Sequence, residues 1–345
     1  MSDPSPASSG QPSAADPTTD LRHRPPHRSA YASTGQPLIV TPTFVARADV
    51  TPATARPRDA GFNLDADGSP MDGADGPPAI EADPNLAFEH WDEYWRKVHG
   101  PKFAYEEPGA STEAVLRYDQ LHRLPAGPSS TFRPPYRAMV RPDHLLVDDA
   151  YARVPAYDRP RWDGLAYIAY GSEADMKAVL GQSKYTERVI ADEKTAFRMV
   201  TRNVAREHII LPSPAHRDPI SLVKIHRRAA HVTREAFQAR WLAAHADLVL
   251  SRPATHRYVR RYAQLHYIGS TQDDPAGGLM DGITVMAFGS VNDVEDYLTA
   301  EDYRAIETDE AALTDAGLSE FWTAVNYSVI NRLYPEVSTD RRATR

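Results

Sequence analysis

Apolar residues recur along the chain at two spacings. Phe88, Trp91, Trp95 and Val98 stand three or four residues apart, as do Phe237, Trp241, Ala244 and Leu248, and each set predicts a helix with one apolar face. Gly100-Pro101 predicts a sharp stop to the first helix, whereas Ala246-Asp247 lets the second continue. Alternation predicts strands at AVLRYDQLHRL and YVRRYAQLHYI, then at GLAYIAY and GITVMAF, with further helices near 172–181 and 290–299 and closing strands near 203–211 and 325–333. LIVTPTFVA supplies an opening strand, with Pro42 favouring an edge position or a bend, and PISLVKIHRRA supplies its counterpart. Each half therefore reads β-α-β-β-α-β.

The two readings are copies in one order. Trp95 and His99 pair with Trp241 and His245 at an offset of 146, and Tyr118, Gln120 and His122 pair with Tyr262, Gln264 and His266 at 144. Asp163-Gly164 then stands opposite Asp281-Gly282, and Gly171-Ser172 opposite Gly289-Ser290. Ordered correspondences of this kind point to internal duplication. The expected organisation is a disordered tail over 1–36, a first unit over 37–211 with a long insertion at 49–85, a second unit over 219–335 and a short tail at 336–345. One face of each sheet is covered by helices, and the other face needs burial against its duplicate.

Composition narrows the chemistry. The 345 residues include no cysteine, which removes disulfides, thiolate nucleophiles and cysteine-held metals, and 13 histidines, which keep acid-base and haem chemistry open. A net charge of -8 argues against a nucleic-acid surface, and KIHRR and YVRRYAQLHY read better as salt-bridged faces than as an RNA platform. The chain shows no apolar run long enough for a membrane helix and opens without a secretory pattern, so a cytoplasmic location is expected. HExxH and compact facial triads are missing, and no metal site is expected.

Strand alternation places Tyr118, Gln120 and His122 on one face, and Tyr262, Gln264 and His266 on the equivalent face. If that face points into the barrel, each half offers a phenol, an amide and an imidazole to one cavity; otherwise these groups tie elements together. His122 is favoured as general acid or base and His266 as an orienting group. His99 and His245, read at helix C-termini, suit a carboxylate or phenolate, or act as caps. Asp163 is a candidate base, with Asp281 its partner, although Asp-Gly is also an ordinary turn pair. Arg206 and His208, set against Asn326 and Ser328 in the other half, mark an asymmetric polar strand available to substrate or solvent.

FEHWDEYWRKVHGP, YDQLH and WDG, repeated as FQARWLAAHAD, YAQLH and MDG, resemble the EthD-like branch of the dimeric α/β-barrel superfamily. That resemblance implies an α+β fold of duplicated ferredoxin-like units forming an intramolecular two-sheet barrel. It also implies a small-molecule enzyme: a lyase, decarboxylase, cyclase or cofactor-independent oxygenase acting on an aromatic, phenolic or polyketide-like compound. No cofactor is predicted. A haem-dependent dehydratase or peroxidase-like enzyme is the main alternative, followed by a non-catalytic carrier of hydrophobic ligands, and homodimerisation through the outer surface stays open.

Overall fold

The computed structural model describes residues 37–47, 91–103, 111–134, 160–213, 218–269 and 280–333. The expected tails, the 49–85 insertion, Phe88, His144 and His216 lie outside them. The strands are β1 (Leu38–Arg47), β2 (Val115–Arg123), β3 (Gly164–Tyr170), β4 (Phe197–Arg202), β5 (Ala205–Leu211), β6 (Ile220–His226), β7 (Arg261–Tyr267), β8 (Gly282–Phe288) and β9 (Glu320–Asn331). Every pairing among them is antiparallel, and the order β1-β3-β2-β9-β6-β8-β7-β5 returns to β1. β4 and β5 are successive lengths of one wall: β4 pairs with Thr43–Arg47 and β5 with Leu38–Val40. Counting them together gives a closed eight-stranded antiparallel barrel.

Pro42 sits opposite the break between β4 and β5. The Pro42 carbonyl accepts from Asn203 N at 3.2 Å and Asn203 Nδ2 at 3.1 Å. Its missing N–H therefore costs no ladder bond, and the expected edge position gives way to a central one beside β3.

Residues 38–211 follow the order β4/β5-β1-β3-β2, and residues 220–331 the order β9-β6-β8-β7. The strands of the two halves join edge to edge, at β2·β9 and β5·β7, and one continuous wall closes around the interior. β2, β5, β7 and β9 would otherwise be unpaired edges, and closure satisfies their backbone groups. The barrel interior is packed with side chains from both halves, including Phe44, Leu121, Leu165, Val223, Leu265, Ile283 and Trp322.

Helices cover the outside. A helical stretch α1 runs over residues 91–103, with a π-turn at Trp95–His99 and a 3-10 turn at Gly100–Phe103. Gly100 keeps helical dihedrals, so the sharp stop expected at Gly100-Pro101 comes a turn later. α2 spans Glu173–Leu180, and α3 covers residues 185–196. In the second half α4 covers residues 234–250, with a π-turn at Trp241–His245, followed by α5 (Pro253–Tyr258), α6 (Val291–Thr299) and α7 (Tyr303–Leu313). The repeated Gly-Ser turns end in N-caps, with Ser172 accepting from Asp175 N and Ser290 from Asp293 N, both at 3.1 Å.

Candidate active site

Of the two facings left open by the alternation, Tyr118, Gln120 and His122 take the outward one on β2, under α1. Tyr118 packs in the layer that holds Trp95 and Phe103, whereas its neighbour Leu121 packs inside. The Gln120 amide donates to the Trp95 carbonyl and to Tyr118 Oη, both at 3.0 Å. Its remaining oxygen meets His122 Nε2 at 3.2 Å, so His122 carries its proton on Nε2 toward that acceptor. The His122 ring lies parallel to Trp95 with centroids 4.1 Å apart, and the indole in turn rests on Gly164, where any Cβ would collide with it. Gly164 follows Asp163 because only a bare Cα admits the indole.

The second half repeats the assembly. Gln264 donates to the Trp241 carbonyl at 2.9 Å and to Tyr262 Oη at 2.6 Å, and its oxygen meets His266 Nε2 at 3.0 Å. His266 stacks on Trp241 at 4.8 Å, and Trp241 rests on Gly282. The two assemblies differ beside the imidazole. His122 Nδ1 bonds the Asp92 carboxylate, while Gln238, at the corresponding place on α4, gives its amide to the Tyr267 and Asp281 carbonyls. Beside His266 stands His208, with ring centroids 4.4 Å apart. Burial drives the His122 pKa below the ordinary imidazole value despite the nearby carboxylate, and burial together with His208 takes His266 to about 3.

His99 and His245 lie within their helical stretches and bind carboxylates brought by α3 and α7. His99 Nδ1 meets Asp192 at 2.6 Å and His245 Nδ1 meets Asp309 at 2.8 Å. Burial opposes the Asp192 charge, yet bonds from His99, Lys102 and Tyr94 hold its pKa down at about 2. These are ties between helices rather than caps. Asp163 accepts from Arg47 N at 2.8 Å, and Asp281 is fully buried among Arg227, Arg228 and Arg234. Carboxylates so engaged anchor strand starts.

The asymmetric strand shifts by one residue from the sequence pairing. Gln264 faces His208 and Gln120 faces Tyr327, which makes His208 equivalent to Tyr327, Glu207 to Asn326 and Arg206 to Val325. Arg206 is exposed, His208 half-buried outside, and Glu207 fully buried inside the barrel. Glu207 Oε1 accepts from Arg117 at 2.9 Å and also from Tyr167 and Arg261. Arg117 further pairs with Asp119 at 3.2 Å. Burial opposes the Glu207 charge, but the two guanidiniums hold its pKa below the usual value.

No group of three or more metal-ligating side chains occurs among the described residues, and no helix among them is long and apolar enough to cross a membrane. A haem does not fit the space found beside His226, about 170 Å³ lined by Lys224 and Glu310. Pockets for drug-sized ligands measure about 300–1,000 Å³, and a tetrapyrrole is larger still than most of their occupants. His122, the favoured acid-base residue, already has both ring nitrogens engaged.

The family model of the EthD domain matches residues 229–317, within the second half. No curated protein matches the chain. Among solved structures, an anthrone oxidase-like protein is similar at 11% identity and a TM-score of 0.46, over 87% of this chain and 96% of that one. A putative monooxygenase from Lactobacillus acidophilus NCFM gives 8% identity and 0.40, over 86% and 95%. Chlorite dismutase from Candidatus Nitrospira defluvii, in complex with imidazole, gives 11% and 0.33, over 84% and 92%.

Proposed function

We propose that the chain is a tandem EthD-like enzyme, with units at 37–211 and 219–335, that moves a proton on a small aromatic, phenolic or polyketide-like substrate. The bond chemistry this serves is that of a lyase, decarboxylase, cyclase or cofactor-independent oxygenase. The observation that carries the proposal is the bond between His122 Nδ1 and Asp92. Gln120 holds one proton on Nε2, which leaves Nδ1 and Asp92 as the pair that takes up a second proton and returns it. Asp92 is 23% exposed against 2% for the imidazole, which makes the carboxylate the route between the pair and a bound substrate. Trp91 at 6.0 Å and Tyr327 at 4.8 Å flank the imidazole, and Arg96 lies over Tyr327 at 4.9 Å, surfaces suited to an aromatic ring.

His266 keeps the same amide partner without a carboxylate and takes the orienting role. With an aromatic substrate in hand, rapid-quench kinetics on folded variants test the assignment. His122→Ala is expected to slow the chemical step about 100-fold, and His266→Ala to change binding or stability instead. Unchanged chemistry in His122→Ala rejects the proposal, and a selective loss in His266→Ala moves the principal group to the second half.

A further inference from the structure

His208 on β5 and His266 on β7 face outward across one seam between the halves, beside α4. Register sets His208 opposite Gln264, two residues from His266, and the two imidazoles stand with centroids 4.4 Å apart and planes tilted by 58°. They are not stacked, as His266 is on Trp241 at 15°. At the other seam Tyr327 fills the place of His208, 4.8 Å from His122, and Asp92 takes His122 Nδ1. Both of those partners are exchanged around His266. In place of the carboxylate stands Gln238, whose amide turns to the Tyr267 and Asp281 carbonyls, and in place of the phenol stands a second imidazole. One proton partner is lost and one nitrogen ligand is gained.

The His266 ring is preset for coordination. Gln264 commits its amide N–H groups to Trp241 and Tyr262, so its oxygen accepts from His266 Nε2 at 3.0 Å and the lone pair stays on Nδ1. That nitrogen has no hydrogen-bond partner among the described residues, and neither nitrogen of His208 has one. A carbonyl oxygen behind one ring nitrogen is the arrangement that orients an imidazole whose other nitrogen binds a metal. A cation about 2 Å from one nitrogen of each ring, at a right angle, sets the centroids roughly 4.5 Å apart, against roughly 5 Å at the tetrahedral angle. The observed spacing matches the right angle, and so the tetragonal shell of copper(II) or nickel(II). Charge favours the same metals. Arg206 stands opposite His266, Glu207 on the inner face is held by arginines, and among the described residues no carboxylate pairs with either imidazole. A hard cation that needs carboxylate oxygens finds none here, whereas neutral imidazole suits a late first-row dication.

From this geometry we infer that His208 and His266 form a two-imidazole site for a late first-row divalent metal ion, copper(II) above the others, with water completing its shell. Gln264 is the positioning residue behind it. The inference does not rest on the His122 reading. Titration of the full chain, its histidines isotope-labelled, with copper(II) sulfate tests it, the ring signals being followed by NMR and the bound metal by EPR. The first equivalent is expected to broaden the His208 and His266 signals ahead of every other histidine and to give the spectrum of nitrogen-ligated copper. His208→Tyr, which copies the other seam and leaves the Trp241 stack in place, is expected to weaken this site at least about tenfold. Excess magnesium chloride is expected to leave the copper bound. Copper that broadens other histidines first and leaves these two sharp, undiminished affinity in folded His208→Tyr, or displacement by magnesium would overturn the inference. The order of broadening is read in the unsubstituted protein, so it decides even where the variant does not fold.

Discussion

Gly164 and Gly282 each carry an indole on a bare Cα, and the indole carries an imidazole. A methyl group at either glycine meets the Trp ring, which the stacked histidine and the helix backbone prevent from withdrawing. Gly282→Ala is therefore expected to cost about 1–3 kcal/mol, the range for overpacked cores, read as a lower denaturant midpoint with an unchanged slope. Burial of the histidines sets the acid response. His266 and His226 have folded pKa values near 3 against an ordinary 6.5, so between those values the unfolded chain binds the protons that the native chain refuses. Stability then rises with pH across that window, is fully present above about 6.5, and is lost as pH falls toward 3. Each such histidine contributes about 1.4 kcal/mol per pH unit inside the window. Thermal unfolding scanned from pH 7 to pH 4 is expected to show a falling midpoint, with a shallower fall in His266→Phe; equal slopes would contradict the assignment.

At the scale of elements, the buried Glu207 joins β5 to β2 and β3 of its own half and, through Arg261, to β7 of the other. Replacing it with leucine leaves two guanidiniums inside the barrel without their shared carboxylate. Glu207→Leu is expected to cost about 3–5 kcal/mol, whereas removing Arg117 and Arg261 as well should recover part of that loss in a chemical-denaturation series. The repeated Tyr-x-Gln-x-His and Asp-Gly strands were legible because their residues recur in order. Their facing was not: Arg117, Asp119 and Arg123 on the inward side of β2 are as polar and as buried as Tyr118, Gln120 and His122 on the outward side. Alternation could not separate two buried polar faces. The one-residue slip at Arg206 arose similarly, from aligning polar residues on a strand whose period is two. α3 and α7, which carry the carboxylates for His99 and His245, escaped notice, although the Asp-Glu dipeptides at 192–193 and 309–310 stand 117 residues apart, one fewer than Asp163 and Asp281. The Lys224 and His226 pair was visible in KIHRR, but a run of cations reads as a solvated face until its strand is known to be covered.

Across the whole molecule, closure at β2·β9 and β5·β7 makes each half depend on the other. Residues 37–211 or 219–335 expressed alone present two unpaired strands and the apolar interior face, and light scattering is expected to show them aggregating where the full chain does not. Soluble, monodisperse halves would show that the seams are dispensable. Because both seams lie within one chain, the barrel closes as a unimolecular event. Its unfolding midpoint is expected to hold steady over about a hundredfold dilution, unlike that of an assembly governed by mass action. A barrel made from two identical chains receives every substitution twice, at symmetric places. Here each change lands once, which lets Lys224 and His226 stand where the other half keeps Thr43 and Val45, and lets Asp92 serve one imidazole while its counterpart goes without.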